Sequence, residues 1–236
     1  MTSLARVSRS ERLQAAIPSL CLVLALLAIG GRSQAEDLTD SQDITGSQDI
    51  TSSQELTAHL ASLREAALVH TLNAELLGNP SATLTLDRWC ADHRLAPEGS
   101  KIVAERIRGM DKPADGSVRA LLRIGTNEPV AYRRVRLKCG ERVLSEADNW
   151  YVPALLTPGM NRTLESTDTS FGRVVAPLRF QRETLSAKLL LSPYGAKEMP
   201  ALPPFVLQHR AVLLLSDGRP FSALVESYTR DVLAAP

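Results

Sequence analysis

The chain has 236 residues, 44% of them hydrophobic and 22% charged, with a formal net charge of +1. That is enough apolar material for one domain with a substantial core, and it excludes wholesale disorder, collagen and a disulfide-dense miniature scaffold. Setting Arg6, Arg9, Arg12, Arg32 and Glu11 aside from 27 basic and 26 acidic residues leaves 23 and 25 beyond residue 35. Nucleic-acid binding leans on clustered neutralisation of phosphates, so the expected partners include no nucleic acid.

In chain order, Arg6, Arg9 and Arg12 precede an apolar run from Ala15 to Gly31, and Ser33-Gln34-Ala35 offers the small residues a signal peptidase reads. This is the organisation of a secretory signal peptide over residues 1–35. It implies cleavage after Ala35, a periplasmic or secreted location and, once cleaved, no stable membrane association. A retained anchor is the alternative, although a run of about 17 residues is short for a bilayer span. Residues 36–55 carry a polar near-repeat, Ser41-Gln42-Asp43, Ser47-Gln48-Asp49 and Ser53-Gln54-Glu55. Too few apolar side chains recur there to fill a core, so the segment reads as a disordered tether. The folded domain is expected over residues 56–236.

From Leu56 the pattern becomes helical, with Leu60, Leu63, Ala66-Ala67, Leu72 and Leu76-Leu77 recurring at helical spacing and Gly78-Asn79-Pro80 as the stop. Ser81 or Thr83 caps a second predicted helix through about Asp92. Strand chemistry follows near residues 101–107, then a short predicted strand at 118–124. Residues 130–139 alternate, placing Arg133, Val135, Leu137 and Cys139 on one face and Tyr132, Arg134, Arg136 and Lys138 on the other. A turn at Gly140-Glu141 leads to a strand over 143–152. Thr157-Pro158 opens a short helix, and residues 167–173 form a polar turn around Gly172. Residues 180–191 are extended at least in their later half. Two last strands, 205–215 and 221–228, flank Asp217-Gly218, a strong hairpin signal. The sum is an antiparallel sheet covered by helices on one side.

Arg133 shares its strand face with apolar neighbours, where a guanidinium can present paired donors to a carboxylate; an edge arginine paired with solvent or a structural acid is the alternative. Glu226 lies in the apolar strand at 221–228. Facing inward, it becomes a proton-handling or hydroxyl-binding group; facing outward, a surface acid. Cys90 and Cys139 either form a disulfide or serve as two small buried hydrophobes. The histidines show no metal-ligand spacing, and there is no hydrolase serine motif, phosphate loop or dinucleotide fingerprint.

Arg133-Arg134-Val135-Arg136-Leu137, the turn Thr169-Ser170-Phe171-Gly172-Arg173 and the final hairpin with Glu226 together resemble the chorismate lyase family over roughly residues 65–232. The resemblance implies an α+β fold of the chorismate lyase-like class, a central antiparallel β-sheet of about six strands with helical flaps over a buried pocket. It implies a carbon–oxygen lyase that eliminates pyruvate from chorismate to give 4-hydroxybenzoate, with no metal or organic cofactor. Arg133, with Arg134 as the less favoured match, would bind the substrate carboxylate, and Glu226 would contact the ring hydroxyl. Phe171, Gly172 and Asn149 would complete the substrate site, Asn149 standing where the family carries another arginine. The ligand would be a small aromatic or cyclohexadiene carboxylate. The same architecture resembles the effector-binding domains of bacterial transcription regulators. With no DNA-binding helix pair preceding the domain, a regulator is not expected. The alternative to the lyase is a noncatalytic exported module that binds a small aromatic carboxylate.

Overall fold

A computed structural model describes residues 45–191 and 202–234. The signal peptide and its cleavage site, expected at residues 1–35, and residues 36–44 of the expected tether lie outside the described residues. The rest of that tether is not a coil. Residues from Thr45 onward form α1 (Thr45–Leu77), because a helix anchored downstream extends by one hydrogen bond per residue once its nucleus exists. Its C-terminal half buries Val69, Leu72 and Leu76, and the chain then breaks at Gly78-Asn79.

Ser81 caps α2 (Ala82–Asp92), its Oγ accepting from Leu84 N at 3.4 Å. Leu86, Trp89 and Cys90 turn inward from α2 to join the α1 stripe in the main core. Trp89 Nε1 donates to Val232 O at 2.9 Å, tying the helix to the last turn of the chain. The strands are β1 (Val103–Ile107), β2 (Ala131–Cys139), β3 (Arg142–Tyr151), β4 (Gln181–Leu189), β5 (Phe205–Leu214) and β6 (Pro220–Thr229). They form one antiparallel sheet in the order β1-β2-β3-β6-β5-β4. The β5–β6 turn is supplied by Gly218 at φ +81°, a left-handed conformation that glycine adopts without strain.

The segment at 118–124 is not a strand. Asp115 accepts from Val118 N at 2.8 Å and caps α3 (Gly116–Leu122). An N-cap aspartate before good helix formers outweighs one valine and one isoleucine. α3 sets Val118 and Leu122 against Trp150, Val212 and Ala223. It thereby covers the sheet face opposite Val135 and Leu137, so the expected one-sided cover is two-sided. On the Val135 face, α4 (Pro158–Ser166) and α5 (Phe171–Val175) contribute Leu164 and Val175 to a second cluster with Tyr151, Leu213 and Leu224. Cys90 on α2 and Cys139 at the end of β2 are joined as a disulfide, with 6.3 Å between their Cα atoms.

Candidate functional site

The register of the sheet decides which side chains meet. Arg133 on β2 lies beside Asn149 on β3, which lies beside Leu224 on β6. One step along, Val135, Ala147 and Glu226 form the next row on the same face. Arg182 on β4 pairs with Leu213 on β5. These side chains floor a cavity of about 50 Å³, roofed by Pro80, Ser81, Ala82 and Thr83 and by Phe171, Gly172 and Phe180. The roof depends on Gly172. A Cβ there would come within 2.8 Å of Ser81 Oγ, so only glycine lets α5 settle against the start of α2 without displacement.

Arg133 is 2% exposed. Its Nη2 donates to the carbonyls of Thr167 and Thr169, at 3.2 and 3.0 Å, and so holds the loop that leads into α5. Its Nε and Nη1 are buried with no partner, as is the Oγ of Ser170. Burial disfavours the Arg133 charge and Arg106 adds to the effect, lowering its pKa against the weaker pull of Tyr151 and Asp168. Arg134 points to the other face, where it pairs with Glu146 at 3.1 Å. Asn149 is buried, and its Oδ1 accepts from Ser222 Oγ at 2.6 Å. Phe171 packs its ring against Tyr151, 5.3 Å between centroids, while also facing the cavity.

Glu226 faces inward and is buried. Its Oε2 accepts from Arg182 Nη2 at 2.6 Å and from Tyr228 OH at 3.1 Å, so it sits as the acceptor of a buried ion pair. Burial opposes the Arg182 charge, but Glu226 beside it outweighs this and raises the Arg182 pKa. The Tyr228 hydroxyl is pushed well up by burial and by the same carboxylate. His209, opposite Glu226 on β5, hydrogen-bonds through Nε2 to Asn73 Oδ1 on α1 at 2.7 Å and leaves Nδ1 buried without a partner. Among the described residues no three His, Cys, Asp or Glu side chains converge as a metal site.

Arg182 is the residue that sequence reasoning missed. On its strand, Gln181–Leu189, alternation groups Leu185, Ala187 and Leu189 on one side and sets Arg182 on the polar side, yet Leu185 and Leu189 are the exposed ones and Arg182 points inward. Ser170 was visible only as a turn residue; its burial depends on α5 folding back over α2.

No family model matches this chain. The uncharacterized protein y4mC of Sinorhizobium fredii (strain NBRC 101917 / NGR234) is 57% identical to it over 189 residues, 75% of this chain and 80% of that protein. The chain belongs to the y4mC family. Solved structures similar to this y4mC relative include PhnF of Mycobacterium smegmatis, with 16% identity, 68% of each chain covered and a TM-score of 0.45. A GntR-family transcriptional regulator of Bacillus cereus has 18% identity, with 54% of this chain and 91% of that one covered and a TM-score of 0.39. YydK of Bacillus subtilis, described as a possible transcriptional regulator, has 17% identity and a TM-score of 0.39, with 59% of this chain covered. The chain spans 62% of YydK.

These neighbours are not chorismate lyases, and the expectations that followed from that resemblance are corrected accordingly. The fold is α+β with a six-stranded antiparallel sheet flanked by helices, and the chorismate lyase-like assignment is not carried further than that. The short pieces around Arg133 and Phe171 specify a strand and a turn, which many chemistries share, and not a reaction. Elimination of pyruvate from chorismate and the lyase assignment are withdrawn, as is the periplasmic or secreted location, whose signal at residues 1–35 lies outside the described residues. Among the described residues no helix is long and apolar enough to cross a membrane. The exclusion of nucleic acid is lifted as well, because it rested on net charge, which says nothing of how charges are arranged.

Proposed function

We propose that this protein is a noncatalytic binding module for a small carboxylate, held by Arg133. The observation that carries the reading is the pair of buried, unpartnered N–H groups on Arg133 beside the cavity. Three charged side chains line that cavity. Arg182 and Glu226 neutralise one another, and Arg133 is left with a charge that no nearby carboxylate touches. A buried charge of this kind is expensive unless an anion completes it, and a carboxylate fits a guanidinium edge through two parallel bonds. The adjacent turn of α2 presents its first backbone N–H groups at Ala82 and Thr83, which favour the same sign of ligand. The remaining lining, Val135, Leu137, Leu213, Leu224 and Phe180, is apolar and suits a hydrocarbon body.

At about 50 Å³ the cavity is smaller than the engineered cavity of roughly 150 Å³ that admits benzene. An acetate-sized anion enters it as it stands, and an aromatic acid requires the roof at residues 80–83 and 171–172 to lift. Calorimetric titration with acetate and benzoate tests the reading, with Arg133→Ala and Arg134→Ala as paired variants. Loss of Arg133 should weaken binding by about 2–5 kcal/mol, and loss of Arg134, whose pair with Glu146 is partly exposed, by no more than about 0.5 kcal/mol. Absence of saturable binding of either anion to the folded wild type, or binding indifferent to Arg133, overturns it.

A further inference from the structure

α1 has two apolar stripes and its own domain uses one. Val69, Leu72 and Leu76 are buried in the core. On another side of the helix, Leu56, Leu60, Leu63 and Leu77 are 60, 57, 40 and 49% exposed, and the exposed Ala67, His70 and Ala74 fall between them. Read in order, residues 56, 60, 63, 67, 70, 74 and 77 alternate spacings of four and three, the seam of a coiled coil sustained over three heptads. Every residue from 53 to 61 is exposed although helical. A helical stretch with no covered side chain has nothing but its own propensity to hold it.

We infer that this stripe is a dimer interface, on which α1 of a second copy of the chain packs antiparallel about a two-fold axis near Ala67. The period selects the partner: a helix with the same four–three spacing fills the seam, and the chain carries that helix itself. Side-chain size and charge select the direction. Antiparallel pairing sets Leu60 against Ala74 of the partner subunit, large against small, and Leu63 against the partner's His70. It also sets Arg64 beside the partner's Thr71, so that no cation faces a cation. Thr57 and Thr71, which flank the seam, turn their hydroxyls back onto the carbonyls of Ser53 and Ala67 at 2.8 and 2.9 Å, leaving the methyls outward. The four leucines offer on the order of 400 Å² per copy, and with the intervening alanines and His70 a symmetric pair reaches the ~1,000 Å² that a specific interface needs. Because the core-facing stripe lies on a different side of α1, the two domains stand outside the helix pair, and the isologous contact closes at two copies.

Sedimentation equilibrium of the full chain should give twice the 25.7 kDa protomer mass, falling to the protomer mass in Leu60→Glu/Leu63→Glu. Both positions are exposed, so the variant keeps its core, and circular dichroism verifies it. In a Cys21→Ser background, Ala67→Cys should cross-link between chains under oxidation, since the axis passes near it, while the background alone and Leu60→Cys should not. A wild type that stays monomeric, or a dimer that survives the double glutamate substitution, overturns the interface; a cross-link through Leu60→Cys overturns the antiparallel direction.

Discussion

Arg133 and Gly172 are the two residues on which the site turns. Arg133 holds the loop before α5 with one nitrogen and leaves two buried donors unmet, so it is a burden on the unliganded fold. Each unmet buried group costs about 1–3 kcal/mol. In Arg133→Met, which keeps the length and removes the charge, the melting temperature should hold or rise, while the stabilisation that benzoate or acetate confers on wild type should vanish. A drop of more than about 4 °C, near 1 kcal/mol for a domain of this size, would mark Arg133 as structural. Gly172→Ala should destabilise by about 1–3 kcal/mol through overpacking against Ser81. In a Ser81→Ala background, which lacks both the clashing oxygen and the α2 cap, the same Gly172→Ala step should cost less, and urea melts of the single and double variants measure the difference. Arg133 was legible in the sequence because Val135 and Leu137 share its face of β2. Arg182, and with it the ion pair to Glu226, was not, because the apolar residues of β4 alternate on the side opposite Arg182 and mark the wrong side as inside.

Among the elements, α2 and β2 do most to shape the cavity, and Cys90 and Cys139 join them. Closing a loop of 49 residues stabilises by about 2–4 kcal/mol in chain-entropy terms. Cys90→Ala/Cys139→Ala should lose that much in a denaturant titration, and intact-mass analysis of the unreduced wild type after alkylation should show both thiols blocked from labelling. The strands were readable from alternation and from turn residues such as Asp217-Gly218, and the caps from Ser81 and Thr157. α3 was misread because seven residues are too few for a helical period to declare itself, leaving Asp115 as its clearest signal. The helical start of α1 was hidden for a different reason: its polar repeat has no preference strong enough to announce a helix, and the order is imposed by the anchored half.

For the whole molecule, His209 makes stability depend on pH. It is fully buried, and burial holds its pKa below the ordinary value of 6.5, Glu226 opposing and Arg182 reinforcing. A histidine kept neutral in the fold binds its proton more readily when unfolded. Its contribution is therefore present above the unfolded pKa near 6.5 and is lost as pH falls through the folded value. The melting temperature should decline from pH 7 to pH 5, above the range in which ordinary carboxylates titrate, and His209→Gln should flatten the decline; an unchanged slope in that variant assigns it elsewhere. The disulfide at Cys90 bears on how the cavity opens, through leverage. Ser81, at the roof, lies nine residues from that fixed point, about 13 Å along the helix axis. With one end of α2 pinned to the sheet, a tilt of roughly 6° swings the other by about 1.4 Å, the radius of a water molecule. In such a tilt the pivot would barely move, so the opening would turn on the contacts around Gly172 and spare the packing of Trp89.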